Sequence, residues 1–138
     1  MRDIDFIAEA DVTRERIMEI LEASFFAAKL DEQGDIFIDE VGVNVWIRVS
    51  TELKQIRIFT VYLFAESSTQ EQICNFINRA SNNSMFRFCS VDNGSFYADF
   101  SITFAGGLIA TNLAILMRRF SAMVPLIISQ QDIENIVK

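Results

Sequence analysis

A chain of 138 residues, of which 51% are hydrophobic and thirteen are Phe, has the length and apolar content of one domain with a single core. Its net charge of −7 argues against binding to nucleic acid or to an anionic membrane through a basic face. The chain has no histidine, so it lacks the usual general base, the usual activator of a serine or cysteine nucleophile and the commonest zinc ligand. We therefore predict one domain over residues 1–138 that is not an enzyme and holds no metal or cofactor.

The negative charge is concentrated near the start of the chain. Residues 1–40 carry twelve acidic and four basic residues, a net charge of −8, whereas residues 41–138 carry +1. A solvated helix face that aids solubility is the interpretation we favour. A docking site for a basic partner is the alternative.

The apolar segments do not have the pattern of membrane spans. The most apolar stretch, residues 100–117, is interrupted by Gly106-Gly107 and alternates like a strand, whereas a span needs roughly 18 continuous apolar helical residues. The first five residues lack the basic and apolar regions of a signal peptide. These features predict a cytoplasmic protein without a membrane partner.

The first predicted helix begins after Thr13, whose hydroxyl can cap it. The helix is predicted to stop before Gln33-Gly34, where Gly34 can adopt the positive φ that ends a helix or turns the chain. Apolar residues recur at helical spacing along one side of this segment: Ile17, Ile20, Leu21, Phe25 and Ala28.

Three strands are predicted between residues 35 and 65, because side chains there alternate with a period of two. The first two cover residues 35–39 and 41–49 and share a buried side rich in Val and Ile. The third, residues 55–65, is largely apolar on both faces. Such a strand lies at the centre of its sheet, or its second face is covered by another chain.

A second helix and a hairpin follow. Ser68 and Glu71 have the spacing of a capping box, which predicts a helix that starts there and ends at residues 81–84. Residues 85–91 and 96–104 are then predicted strands. Asn93-Gly94 favours a tight hairpin turn over residues 92–95, because both central residues of a type I′ turn need positive φ.

The last part of the chain is predicted to be helical. Gly106-Gly107 turns the strand into a helix from residue 108 to about residue 123, which ends before Pro125 because proline lacks an amide donor. Residues 129–138 form a short amphipathic turn capped by Ser129. The element order α-β-β-β-α-β-β-α predicts an α+β, two-layer domain with a mostly antiparallel five-stranded sheet and helices packed on one face.

Two sequence features could suggest chemistry, but a structural role explains each better. Cys74 and Cys89 fall on a predicted helix and a predicted strand, at a spacing that matches no metal or redox motif. We interpret both as free, buried thiols. Gly106-Gly107 precedes a helix but lacks the Lys-Ser/Thr pair of a phosphate-binding loop, so a tight turn accounts for it.

Apolar residues also occupy the strand faces opposite the predicted core. If helices cover one side of the sheet alone, these residues form an open apolar surface, which would be a dimer interface or a groove for a peptide. The alternative is that the C-terminal segment folds back and covers them. The candidate interaction surface consists of Trp46, Phe59, Val61, Leu63 and Tyr97.

The segment from the second helix to the third resembles the bacterial YbjN-like family of proposed sensory transduction regulators. The resemblance is carried by Asn75-x-x-Asn78, the strand at 85–91, the Asp92-Asn93-Gly94 turn, the alternating strand at 96–104 and Gly106-Gly107-Leu108 before a helix. It implies a type III secretion chaperone-like fold. Proteins of that fold are typically small, acidic, cytoplasmic and often dimeric, and they bind protein segments without catalysis.

Two functional hypotheses follow. The first is a non-enzymatic regulatory or chaperone-like module, dimeric, that engages a protein or peptide partner through the exposed sheet face or edge. The second is a small-molecule sensory domain with an apolar pocket between sheet and helices, lined by Phe and Met.

Overall fold

The computed structural model describes residues 5–40, 43–91 and 94–138. The helices are α1 (Arg14–Ala23), α2 (Gln70–Asn82) and α3 (Ala110–Gln131). The strands are β1 (Phe6–Ile7), β2 (Ala28–Leu30), β3 (Ile36–Glu40), β4 (Val43–Ser50), β5 (Gln55–Leu63), β6 (Arg87–Val91), β7 (Ser95–Thr103) and β8 (Leu108–Ile109).

Six strands form one antiparallel sheet in the order β2-β3-β4-β5-β7-β6, and β1 and β8 form a small second pair. The predicted α+β fold with an antiparallel sheet is confirmed, although the main sheet has six strands and not five. The two-faced apolar strand β5 is central, between β4 and β7, as its composition predicted. Val41 and Gly42, which were predicted to lie in the second strand, and the predicted turn residues Asp92 and Asn93 lie outside the described residues.

Helix α1 ends at Ala23, nine residues before the predicted end at residue 32. Thr13 caps it as expected, with its hydroxyl accepting from the Arg16 amide at 3.1 Å. The helix stops at Ala23 because Phe25 adopts a φ of +71°, so that the Phe26 amide donates to Leu21 O at 2.9 Å and the Phe25 amide to Glu22 O at 3.1 Å. This is a Schellman end, formed here without glycine.

Residues 28–30, which were predicted to be helical, form the edge strand β2 of the sheet. Ala28, predicted on the helix, lies in β2 and pairs with Ile38 of β3. The chain reverses between these strands at Gly34, whose φ is +84°. The acidic residues of this hairpin therefore lie at the end of a β-ribbon and not on a helix.

One face of the sheet is buried against the three helices. The inward side chains of the strands include Ile36, Ile38, Val45, Ile47, Ile56 and Ile58, all with no exposed surface. Phe96 of β7 lies at the centre of a ring cluster, with centroids 4.8 Å from Phe64, 5.2 Å from Phe76 and 6.3 Å from Phe88. The high Phe content is thus largely used inside the domain.

The N-terminal cap of helix α2 lies one residue later than predicted. Thr69 accepts from the Gln72 amide at 3.1 Å, and the Gln72 side chain accepts from the Thr69 amide at 2.9 Å. The capping box is therefore Thr69 with Gln72 and not Ser68 with Glu71. Both pairs have the required spacing, so the sequence alone does not distinguish them.

Helix α3 runs through Pro125, against the prediction, and begins at Ala110 after the short strand β8. Pro125 removes one helical hydrogen bond, at a cost of about 3 kcal/mol. Continuing the helix buries Val124, Ile127 and Ile128 on the same core, and each such side chain contributes about 1.5–3 kcal/mol. Burial therefore outweighs the lost bond, and Ser129 lies within the helix and caps nothing.

By length and composition α3 is the one helix among the described residues that could cross a membrane. One side of it, including Leu113, Met117 and Phe120, is buried in the domain core. The opposite side carries Arg118-Arg119. This arrangement is that of an amphipathic core helix.

The C-terminal residues extend the sheet beside the end of β5. The Lys138 amide donates to Leu63 O at 2.9 Å, and Val137 forms a bridge with Phe64. Asp132 fixes this turn by accepting from the Ile136 and Val137 amides at 2.8 and 3.0 Å. The tail therefore lies at the end of the sheet.

Candidate functional site

The outer face of the sheet, which is the side turned away from the helices, contains all five predicted surface residues. Trp46 lies opposite Phe59 across β4 and β5, and Val61 lies opposite Tyr97 across β5 and β7. Val61 and Leu63 are 47% and 53% exposed, so the C-terminal segment does not cover them. The structure brings the five residues together on one open face.

An aromatic row crosses this face from β3 to β5. The ring of Trp46 is 5.2 Å from that of Phe37 and 5.9 Å from that of Phe59, and the latter pair is stacked at 17°. Phe37 was not among the predicted surface residues. Its alternation with buried Ile36 and Ile38 was the signal that could have identified it.

Basic side chains lie over most of the rings. Lys29 is 5.5 Å from the Phe37 centroid. The guanidinium of Arg57 is 4.5 Å from the centroid of Phe59 and 4.9 Å from that of Tyr97. Further cations lie near these rings, namely Arg48 over Phe59 and Arg87 over Tyr97. The outer face is therefore a layer of rings alternating with cations rather than a bare apolar surface.

Asp99 anchors two of these cations. Its carboxylate is 3% exposed and accepts from Arg57 Nε at 2.8 Å and from Arg87 Nε and Nη2 at 2.9 and 2.6 Å. Burial would raise the pKa of Asp99, but the hydrogen bonds from Arg87 and Arg57 outweigh it and lower the pKa. The same hydrogen bonds raise the pKa of Arg87. The triad fixes both guanidinium groups against Tyr97.

Replacing the Asp99 carboxylate should change the free energy of unfolding by an amount that depends on pH. We expect Asp99→Asn to lower the free energy of unfolding by about 1.5 kcal/mol, less than a fully buried pair because the Arg87 side chain is 64% exposed. Because the folded-state pKa is below the unfolded value of about 3.9, the difference from wild type is full above about pH 5 and shrinks as the pH falls through the folded-state pKa. Urea unfolding between pH 3 and 7 measures it.

The exposed carboxylate of Asp39, on the outer face of β3, provides the control for this substitution. Asp39→Asn should change stability by less than about 0.5 kcal/mol at every pH. An Asp99→Asn difference that stayed constant down to pH 3 would contradict the proposed role of the ionised triad.

A second carboxylate lies near the β2–β3 hairpin. Asp35 accepts from Arg48 Nε at 3.1 Å and from Arg48 Nη2 at 2.8 Å, and this hydrogen bonding raises the pKa of Arg48. Asp31 Oδ1 accepts from the amides of Gln33 and Asp35, both at 2.9 Å, and so shapes the turn. Hairpin and sheet together enclose a pocket of about 420 Å3 on the outer face.

The two cysteine thiols are less buried than predicted. Cys74 is exposed on α2, and Cys89 is half-buried on the outer face opposite Tyr97. Both are free, but the predicted burial is wrong because each lies on the side of its element turned away from the core. Within residues 5–40, 43–91 and 94–138, no group of three or more Cys, Asp or Glu side chains is placed to hold a metal ion.

Likeness to known proteins is found in structure and not in sequence. No protein-family model and no curated protein sequence matches the chain. The crystal structure of YbjN, a proposed transcription regulator from E. coli, superposes with a TM-score of 0.76 over 96% of this chain and 98% of YbjN, at 9% identity. The chain has a YbjN-like fold.

A second neighbour extends the comparison. A chain of the HopA1-SchA chaperone-effector complex superposes with a TM-score of 0.53, at 14% identity, over 79% of this chain and 84% of that one. The predicted YbjN-like, type III secretion chaperone-like fold is thereby confirmed. At these identities the likeness to YbjN establishes the fold and leaves function to the chain's own residues.

Proposed function

We propose that this protein is a non-enzymatic regulatory or chaperone-like module that holds a segment of a partner protein on the outer face of its sheet. The observation that carries the proposal is the half-buried row of Phe37, Trp46 and Phe59, continued by exposed Val61 and Leu63. The helices lie on the opposite side of the sheet, so this surface is accessible to another chain.

The composition of the outer face supports this proposal. Binding energy in protein interfaces is concentrated in Trp, Tyr and Arg side chains that are already held in place. Here Arg57 and Arg87 are fixed by Asp99, and Trp46 is stacked on Phe59. Little side-chain freedom would be lost on binding, which favours affinity.

The fold is consistent with a binding role. Among its structural neighbours are a chain of a chaperone-effector complex and a proposed transcription regulator. On the chain itself, Asp99, whose pKa is lowered, and Arg87, whose pKa is raised, pair with each other and form no arrangement for proton transfer. A binding module requires neither a catalytic group nor a cofactor.

The small-molecule alternative finds little support in the packing. It requires a cavity between sheet and helices, but Phe76, Phe96, Phe104 and Phe120 are fully buried there. A further cleft, of about 300 Å3, lies between α1 and the start of α3 and not between the sheet and the helices. We therefore favour the protein-binding function.

Selection of peptides from a random heptapeptide phage library tests the proposal. Peptides enriched on the wild-type protein should bind the Val61→Glu/Leu63→Glu variant at least about tenfold more weakly, because two charges then interrupt the apolar surface. The control variant, Leu53→Glu/Ile133→Glu, adds the same charges at exposed positions away from this face and should bind within about twofold of wild type.

Two results would count against the proposal. One is that no peptide is enriched on the wild-type protein, and the other is that both double variants lose binding equally. Circular dichroism and thermal unfolding of the variants establish that each is folded. Sedimentation equilibrium of the same proteins tests the predicted homodimer and whether the outer face contributes to it.

A further inference from the structure

The 420 Å3 pocket on the outer face has an aromatic floor and an acidic wall. Its floor is formed by Trp46, Phe59 and Val61, and its wall is the β2–β3 hairpin with Asp31 and Glu32. Asp35 and Arg48 close the remaining side. Such a combination of apolar floor and charged rim recognises a side chain with a long apolar stem and a charged end.

The net charge of the pocket determines whether it favours a cationic or an anionic ligand. Asp35 and Arg48 pair through two hydrogen bonds, and Asp31 also interacts with Arg48, so the three acidic residues and one basic residue that line the pocket leave an excess of two negative charges. Glu32 is exposed and has no hydrogen bond or ion pair among the described residues, so it is available to a partner. The wall thus carries a net charge of −2 and favours a cation.

The rings of the outer face indicate how that cation would be held. Phe37 and Phe59, on either side of Trp46, each have a cation of this chain within 5.5 Å of the ring centroid. Within the part of the chain that the structure describes, Trp46 has none. Indole attracts cations more strongly than the other aromatic rings, and in this row it is the ring that no cation of the described residues contacts.

We propose that this pocket receives an arginine side chain of the bound segment, with its guanidinium over Trp46 and paired with Asp31 and Glu32. This inference rests on the proposed function and specifies the chemistry of its partner. Arginine fits better than lysine because a planar guanidinium stacks on a ring while donating in its own plane to carboxylates.

Trp46 is the single Trp of the chain, so its indole N–H signal reports on this pocket directly. Titration of the 15N-labelled protein with N-acetyl-L-argininamide should shift that signal with an affinity at least about fivefold tighter than N-acetyl-L-citrullinamide. Citrulline has the same shape but no charge. Equal affinities for the two compounds would overturn the inference.

Neutral variants test the acidic wall. Asp31→Asn/Glu32→Gln removes both charges, while the new amide at position 31 keeps a side-chain oxygen that can accept from the turn amides. It should abolish the preference for argininamide, whereas Glu22→Gln/Glu71→Gln, which removes two exposed charges from the helices, should leave it unchanged. Loss of the preference in both variants would mean a general charge effect and would overturn the assignment to this pocket.

The selected heptapeptides separate this inference from the function on which it rests. They should contain arginine, and replacing it with citrulline should weaken binding to wild type about tenfold but not to Asp31→Asn/Glu32→Gln. Peptides that bind the outer face without any basic residue would overturn the arginine assignment and leave the proposed function intact. Argininamide binding without any enriched peptide would instead contradict the protein-binding function.

Discussion

Phe96→Ala is expected to lower the free energy of unfolding by about 4 kcal/mol, because it leaves a cavity at the centre of the ring cluster. The Phe96 side chain has no exposed surface. Its neighbours are Tyr62 of β5, Phe64 directly after β5, Phe76 of α2 and Phe88 of β6. Because side chains from three other segments meet at this ring of β7, the site cannot collapse to fill the cavity without moving a strand or a helix.

Urea unfolding followed by circular dichroism measures this effect. Phe25→Ala makes the same chemical change at a side chain that is 93% exposed and should alter stability by less than about 0.5 kcal/mol. Phe96→Leu retains most of the volume and should cost about 1–2 kcal/mol. A loss below about 1.5 kcal/mol for Phe96→Ala would mean that the ring cluster is not the packing centre.

Gly107→Ala is expected to lower the free energy of unfolding by about 3 kcal/mol, because the backbone conformation of Gly107 is strained for alanine and neighbouring atoms leave no room for a Cβ. Gly107 has a φ of +119°, and an added Cβ would lie 2.9 Å from the Ile7 carbonyl oxygen and against the Phe6 ring. The Phe6 ring can rotate away, but Ile7 is fixed by its pairing with Leu108. The substitution should therefore separate β1 from β8.

Gly106→Ala is the matched control for this prediction. Gly106 has a φ of +87°, but an added Cβ would meet nothing within 4 Å, so the cost should be about 1 kcal/mol of backbone strain. Equal losses for the two alanine variants, measured by thermal unfolding, would contradict the role assigned to the Ile7 contact. Hydrogen exchange at the amides of Phe6–Ile7 should rise in Gly107→Ala alone.

The sequence predicted the sheet well because its strands bury one face. The period-two alternation through β4, β5 and β7 identifies the inward residues regardless of how the strands are ordered. It also assigned Trp46, Phe59 and Tyr97 correctly to the opposite side. Alternation depends on neighbours along the chain, and for that reason a single sequence is sufficient to reveal it.

Helix ends were predicted less well because tertiary contacts override local signals. Phe25 adopts the positive φ that glycine usually provides, and this conformation is stabilised by the burial of Phe26 next to Leu21. The local sequence contains no glycine or asparagine that would predict this helix end. Pro125 is the converse case, since a strong stop signal is overruled by the apolar side of α3. In both cases, the deciding contacts are made by side chains buried in the folded core.

The chemistry of the outer face was the least predictable part. Arg57, Arg87 and Asp99 were each assignable to a face, but their ion pairs depend on strand order and register. Arg57 and Asp99 are 42 residues apart in the chain, and they become neighbours because β7 inserts between β5 and β6. The same holds for the pocket, because its acidic wall was assigned to a helix and belongs to a hairpin.

The strand order also bears on how the chain folds. Neighbours from β2 to β5 are joined by short hairpin connections, and so are β6 and β7, so each group can form locally. The two groups join through nine residue pairs between β5 and β7, across a connection of about thirty residues that includes α2, whose closure costs chain entropy. The refolding rate is therefore expected to depend on this one pairing. Substitutions in the β5–β7 seam should slow refolding, whereas substitutions at the β2 edge should act mainly on unfolding.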